Sequence, residues 1–280
     1  MRVINLLLDI LTTAGILFIV SIGLLIVFGV QKIINFAHGA FLTIGGYVAL
    51  LVTGAHFSPW LAPPVALLAG ALIGAIVERV IVRPLYNRPL DAILATWGLS
   101  IVVVQLITIG FGRGVQFVTS PVSGAIHVFG ADYSLYRLIF LGIAIVLGLA
   151  VGLLLRSTRL GLVARAVILN ENLARSLGID SDLVRFMTFV VGAGLASLAG
   201  ALLTPLLSVD PTMGVTWLLN AFMLVMVSGT SLISLMLACV VLGGAQVVIS
   251  TFGNPVLGGL TIVVLAAILL RLRPTGFARA

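Results

Sequence analysis

An all-α, polytopic transmembrane helical bundle is the fold class this sequence predicts, and three observations carry the prediction. Of 280 residues, 61% are hydrophobic and only 8% are charged, where a soluble domain carries about 25% charged residues. The hydrophobic residues form long runs such as 4–28 and 135–155, and about 20 helical residues cross a hydrocarbon core about 30 Å thick. The arginines gather between those runs, at Arg79, Arg83 and Arg88, at Arg156, Arg159, Arg165, Arg175 and Arg185, and at Arg271, Arg273 and Arg279. A soluble protein of this make-up would expose large apolar patches and aggregate. The net charge of +7 does not indicate nucleic acid, because the arginines flank apolar helices and suit anionic membrane lipids. The single cysteine, Cys239, lies inside an apolar run and has no partner for an internal disulfide.

Each element follows from the same reasoning, within a single transmembrane domain over 1–280. Residues 4–28 make a full first span, read as a retained helix and not a cleaved leader. Residues 39–52 are short for a span, so a broken helix or half-helix is expected near residues 30–52. Spans near 60–82, 92–111, 135–155 and 183–207 follow. Positive residues mark the cytoplasmic side, which leaves 53–59, 112–134 and 208–217 outside and the C-terminus inside. Residues 218–270 then need an odd number of crossings, met by short spans at about 218–233, 235–252 and 256–270. If 39–52 crosses, the N-terminus is outside; if it is a half-helix, the N-terminus is inside. The count is eight or nine spans. Gly70/Gly74, Gly148/Gly152 and Gly192/Ala196/Gly200 have the small-residue spacing that lets membrane helices approach closely, although 31 glycines also produce such pairs by chance.

The polar stretch Gln31-Lys32-Ile33-Ile34-Asn35-Phe36-Ala37-His38-Gly39 separates the first two apolar segments. Polar groups at membrane depth are costly and line cavities or paths. Irregular backbone is tolerated there only where protein or water satisfies it, and such a break points to a transport site. The plainer alternative is a surface loop with Lys32 at the headgroups.

Phe28-Gly29-Val30 through Ile34-Asn35-Phe36-Ala37-His38-Gly39, followed by Gly45-Gly46-Tyr47, resembles the signature of the permease subunits of branched-chain amino acid ABC importers. Further matches follow in order: Glu78-Arg79-Val80 with Arg83-Pro84-Leu85 and Arg88-Pro89-Leu90; Ala95-Thr96-Trp97-Gly98-Leu99-Ser100; Thr158-Arg159-Leu160-Gly161 with Arg165-Ala166; Ala174 to Gly178-Ile179-Asp180; Pro211-Thr212-Met213-Gly214; and Arg273-Pro274-Thr275-Gly276-Phe277. The resemblance covers about residues 10–277. It departs at Ser228-Gly229-Thr230-Ser231-Leu232-Ile233-Ser234, where the family has a Gly-rich run and this chain has its glycine pair only at Gly243-Gly244. Trp97 and Phe111-Gly112 lean toward the urea and short-amide branch of the family.

The resemblance implies a permease of the bacterial inner membrane. It would pair with a second, homologous or identical permease, two cytoplasmic ATP-binding subunits and an extracytoplasmic solute-binding protein. Asn35, His38, Gly39 and Asn220 are then candidates for the substrate pathway; for Asn220 the plainer role is a helix-end cap. The cytoplasmic segment of about 156–182 resembles the loop that contacts the ATPase, with Arg165, Glu171, Ala174, Arg175 and Gly178 as coupling residues. A short helix on the membrane surface would insert its small-residue face into a partner cleft, with the charged residues at the rim.

An ATP-binding loop needs Gly-x-x-x-x-Gly-Lys-Ser/Thr. The only lysine, Lys32, follows Val30-Gln31, so the chain is not itself an ATPase. His38, His56 and His127 lie far apart without a ligand-spaced carboxylate or thiol, so no metal or other cofactor is expected. Two other function classes fit less well. An intramembrane serine protease would have only Ser231 and His38 to pair, without a supporting motif. An ion channel or secondary carrier needs acidic rings or buried ion pairs, and Asp9 is the one acidic residue well within a hydrophobic run.

Overall fold

The computed structural model describes residues 2–128, 131–273 and 276–277. Pro274, Thr275 and Arg279, placed in the tail above, lie outside them. The helices are α1 (Arg2–Gln31), α2 (Ala37–Gly54), α3 (Ala62–Val77), α4 (Pro89–Phe111), α5 (Leu135–Ser157), α6 (Arg159–Leu169), α7 (Glu171–Ser176), α8 (Ser181–Leu203), α9 (Met213–Ser228), α10 (Leu232–Phe252) and α11 (Pro255–Leu272). Eight of these, taking α3 with the turns that flank it, are long and apolar enough to span a bilayer; α9, with 16 residues, is shorter. The bundle therefore has the eight or nine segments expected. The segment expected at 39–52 is an 18-residue helix. That expected at 218–233 begins earlier, at Met213, and stops at Gly229, whose φ of 65° ends the helix. One two-stranded hairpin, β1 (Ala125–Val128) with β2 (Ala131–Ser134), interrupts the all-α pattern; it pairs Ile126 with Tyr133.

The helices share two common ends. At one, Gln31 of α1 approaches the Arg185 carbonyl of α8, Ile168 of α6 lies against Gly29, and Phe277 bonds to Val227. The arginine clusters lie at this end. At the other, Tyr133 and Arg137 bond to Asp9 of α1, Tyr136 to Leu202 of α8, and Gln116 pairs with Val209. The start of α1 is thus at the end opposite the arginine clusters, and α2 runs back toward it. Leu94, Ile101 and Leu106 of α4 and Leu149 and Leu153 of α5 face outward, as lipid-facing side chains do in a chain whose helices satisfy their own backbone bonds.

The directions reveal an inverted repeat. Helices α1–α4 run away from, toward, away from and toward the far end; α8–α11 run the opposite way in the same order. The neighbours correspond as well. α1 packs on α10 as α8 packs on α3, and α2 packs on α4 as α9 packs on α11. α1 meets α8, and α2 meets α9. Both meetings use glycines reciprocally. A Cβ on Gly23 would lie 2.6 Å from the Gly192 carbonyl oxygen, and one on Gly192 would lie 2.8 Å from that of Gly23. Gly39 and Gly214 exclude each other's Cβ in the same way.

The small-residue spacings behave unequally. Gly70 and Gly74 let α3 close on Ser197 and Ala193 of α8, and Gly200 admits the Leu42 carbonyl of α2. Gly148 meets the Phe18 ring, whereas a Cβ on Gly152 would make only ordinary contact with Leu232. The innermost helices, α1 and α8, carry most of these approaches, because buried apolar packing alone gives little association energy in lipid.

Candidate functional site: the α2–α9 junction and the α6–α7 segment

The break after α1 is built from the residues singled out in the sequence. α1 ends at Gln31; Lys32, at φ 54°, turns the chain. Asn35 is 4% exposed, and its Oδ1 accepts a bond from the Ala37 amide at 3.0 Å, closing the first turn of α2. The Phe36 amide donates to Thr96 Oγ1 on α4. His38 is 1% exposed, and its Nε2 lies 2.8 Å from the Val20 carbonyl oxygen. Val20 is eleven residues from the end of α1, which puts His38 about 16 Å inside that end at 1.5 Å per residue. That is mid-depth in a bilayer core about 30 Å thick.

The second half supplies a counterpart that the sequence reading missed. Asp210 Oδ1 accepts a bond from the Thr212 amide at 2.8 Å, as Asn35 does from Ala37. Each carboxamide or carboxylate stands four residues before its glycine, Asn35 before Gly39 and Asp210 before Gly214. Thr43 Oγ1 accepts from the Gly214 amide at 3.2 Å and donates to the Gly39 carbonyl at the same distance. The heads of α2 and α9 thus meet at mid-depth, joined by a threonine and two glycines. Pro211-Thr212-Met213-Gly214, read from sequence as an external turn, leads from the far end, where Val209 pairs with Gln116, into this junction. The signal available in the sequence was the shared Asx-x-x-x-Gly spacing.

Asn35, His38 and Gly39 are together at the junction. Asn220 is not; it lies half-buried further along α9, and no hydrogen bond joins it to the other three among the described residues. Asn35 and His38 are enclosed by the chain's own helices, so their polar groups hold the break in place.

The arginine-rich segment forms two short helices outside the spans. Thr158 caps α6 through the Gly161 amide, and Asn170 caps α7 through the Leu173 amide. Gly178, at φ 83°, ends α7, with the Ile179 amide reaching back to the Ala174 carbonyl, a conformation that favours glycine. Ala174 is 2% exposed and packs inward with Val30, Ala164 and Val167. Of the two small residues, Ala174 is therefore turned inside the chain, while Gly178 stays exposed with open space beside it. What the segment turns outward is Leu169, Leu173 and Leu177, at 84%, 57% and 73% exposure. Arg165 lies on the surface, its Nε 3.3 Å from the Gly161 carbonyl.

Glu171 accepts from Arg175 at 3.0 Å and is paired with Arg185; Arg175 also holds Asp182 at 2.7 Å. The Glu171 hydrogen bond, then Asp182, holds the Arg175 guanidinium above its ordinary pKa. Arg185 lies over the Tyr86 ring, 4.7 Å from its centroid. Tyr86 donates its hydroxyl to Glu78, a fully buried carboxylate at the start of a π-helical turn, Glu78–Val82. Burial, and then the bond to Glu78, pushes the Tyr86 hydroxyl well above the usual tyrosine range, so it remains a donor.

Comparison with known proteins agrees with this architecture. The family model described as "Branched-chain amino acid transport system / permease component" matches residues 6–271. A high-affinity branched-chain amino acid transport system permease protein, LivH of Salmonella typhimurium, is 28% identical, over 92% of this chain and 89% of the relative. BraD of Pseudomonas aeruginosa, a permease protein of the same kind of system, is 29% identical over 95% and 92%. The ribose import permease protein RbsC of Haemophilus influenzae is 27% identical over 80% and 69%. Among solved structures, PsaBC from Streptococcus pneumoniae in complex with Fab shares the fold at 15% identity, with a TM-score of 0.54 over 96% of this chain and 92% of that one. A match that runs through all the spanning helices, and through both halves of the inverted repeat, means that the chain belongs to the family of permease components of branched-chain amino acid transport systems.

Proposed function

We propose that the chain is one half of the membrane pathway of an ATP-driven importer for branched-chain amino acids. It pairs with a second, homologous or identical permease, two cytoplasmic ATP-binding subunits and an extracytoplasmic solute-binding protein. The arginine-rich end faces the cytoplasm, by the excess of positive charge on that side, and this puts the start of α1 outside and the C-terminus inside. The observation that carries the reading is the α6–α7 segment. It stands outside the spans at that end and turns Leu169, Leu173 and Leu177 outward, an apolar centre rimmed by Arg165, Arg175 and Glu171, as an interface core with a polar rim requires. The chain supplies no phosphate-binding loop, so the ATPase is a separate subunit.

In this reading Asn35, His38 and Gly39 shape the pathway by fixing where α2 begins, and Asn220 lies further along α9 toward the inside. Few charges along the spans suit a zwitterionic or neutral solute. The test is reconstitution into liposomes with the ATPase subunits and the binding protein. Leucine uptake that requires ATP supports the reading; equal uptake without ATPase subunits contradicts it and favours a secondary carrier. Urea and short amides are the second reading, suggested by Trp97 and Phe111-Gly112. Trp97 faces outward on α4, and Phe111 packs on Tyr47 with ring centroids 4.8 Å apart. Competition of labelled leucine uptake by unlabelled urea or acetamide separates the two.

A further inference from the structure

We propose that Arg185 is a positioning residue for transport: a strut that passes the movement of the ATPase-facing helix α7 to the α3–α4 turn and to the α1–α2 break. The proposal rests on the coupling role just given to α6–α7. Arg185 stands one turn into α8 and touches three elements. Its guanidinium pairs with Glu171, the first residue of α7. The same guanidinium lies over the Tyr86 ring, whose hydroxyl is bonded to buried Glu78 at the end of α3. Its carbonyl oxygen is 3.5 Å from Gln31 Nε2, at the last residue before the break that leads to Asn35 and His38. The side chain is only 14% exposed, so the pair with Glu171 is held in one geometry, unlike a solvated surface pair.

The network has room and reason to change. It opens on a cavity of about 500 Å³ lined among others by Arg83, Tyr86, Glu171, Arg175 and Arg185. Arg185 Nε, Glu78 Oε2 on the carboxylate that Tyr86 bonds, and Ser181 Oγ on the residue before Asp182 are buried and lack a hydrogen-bond partner among the described residues. A partly matched buried network is costly, and the strut requires a second arrangement in which those atoms pair. The π-helical turn at Glu78–Val82 is a further departure of the kind found at functional sites. Coupling carried by a packed chain of groups needs such a two-state element.

The experiment uses the full complex in liposomes and three variants. Leu173→Asp tests the coupling role alone. Arg185→Lys keeps the charge but loses the planar fork and the stack; Tyr86→Phe keeps the ring but removes the donor to Glu78. The readouts are ATPase co-purification, ATP hydrolysis without solute, and hydrolysis and uptake stimulated by the loaded binding protein. The expected result is that Leu173→Asp loses the ATPase. Arg185→Lys and Tyr86→Phe should keep the ATPase and its unstimulated hydrolysis but lose roughly tenfold or more of the stimulation and uptake, within the range usual for site-to-site coupling. If Leu173→Asp loses the ATPase while both other variants transport as the wild type does, the strut is overturned and the coupling role stands. If Leu173→Asp keeps the ATPase, the coupling role fails and the strut with it. Should Arg185→Lys not assemble, Tyr86→Phe alone decides.

Discussion

At the scale of single residues, close approach governs this molecule more than polar chemistry. Gly39 and Gly214 meet backbone to backbone, so neither has a flexible neighbour that can yield. Gly39→Val and Gly214→Val should each destabilise the chain by about 3 kcal/mol, the upper part of the usual cost of overpacking, read by thermal unfolding in detergent. Asn35→Ala should cost about 1 kcal/mol, as the loss of one hydrogen bond does, and should slow uptake without abolishing it. Wild-type uptake in Asn35→Ala and His38→Ala variants that assemble would remove both from the pathway. Asn35 and His38 were legible in the sequence because polar side chains inside a hydrophobic run are conspicuous. Asp210 and Gly214 were not, because a Pro-Thr-Met-Gly run between apolar segments has the composition of an ordinary turn. Only its contact with α2 shows that it dips into the bundle.

At the scale of elements, the spans were readable and their ends less so. Hydrophobic runs identify α1, α4, α5 and α10 because a lipid-crossing helix needs only length and apolarity. The start of α9 was missed by five residues, since Met213-Gly214-Val215 sits beside turn-forming residues. The hairpin of β1 and β2 was missed because its strands are too short for an alternating pattern to stand out. The α6–α7 segment was found as a polar interval, but its orientation was not. Ala174 and Gly178 were the expected small-residue contact face; Ala174 is instead buried in a cluster with Val30, Ala164 and Val167, and only Gly178 is exposed. Burial of one face over another is a tertiary choice that a six-residue helix does not encode. Gly178→Ala should cost about 1 kcal/mol for the left-handed backbone and fray α7. Hydrogen exchange should rise at Leu177 and Ile179 and stay unchanged in the spans.

At the scale of the whole molecule, the inverted repeat organises the bundle. Two four-helix halves of opposite direction meet where α1 crosses α8 and α2 crosses α9, and the single helix α5 carries the chain between them through α6–α7. Opposite direction requires an odd number of crossings before α8 begins. Topology is therefore testable in a background in which the only cysteine, Cys239, is buried. Val115→Cys should react with an impermeant maleimide from the outside, and Leu160→Cys only from the cytoplasmic side. In the sequence the repeat shows only as short segments in both halves and as the shared Asx-x-x-x-Gly spacing, because helix packing in lipid asks only for small residues at crossings, and many sequences supply them. The most direct test of the central claim, that the arginine-rich end receives the ATPase, is maleimide labelling of Leu173→Cys in inside-out vesicles, with and without the ATPase subunits assembled. The expected result is rapid labelling in their absence and strong protection in their presence; equal labelling in both would contradict it.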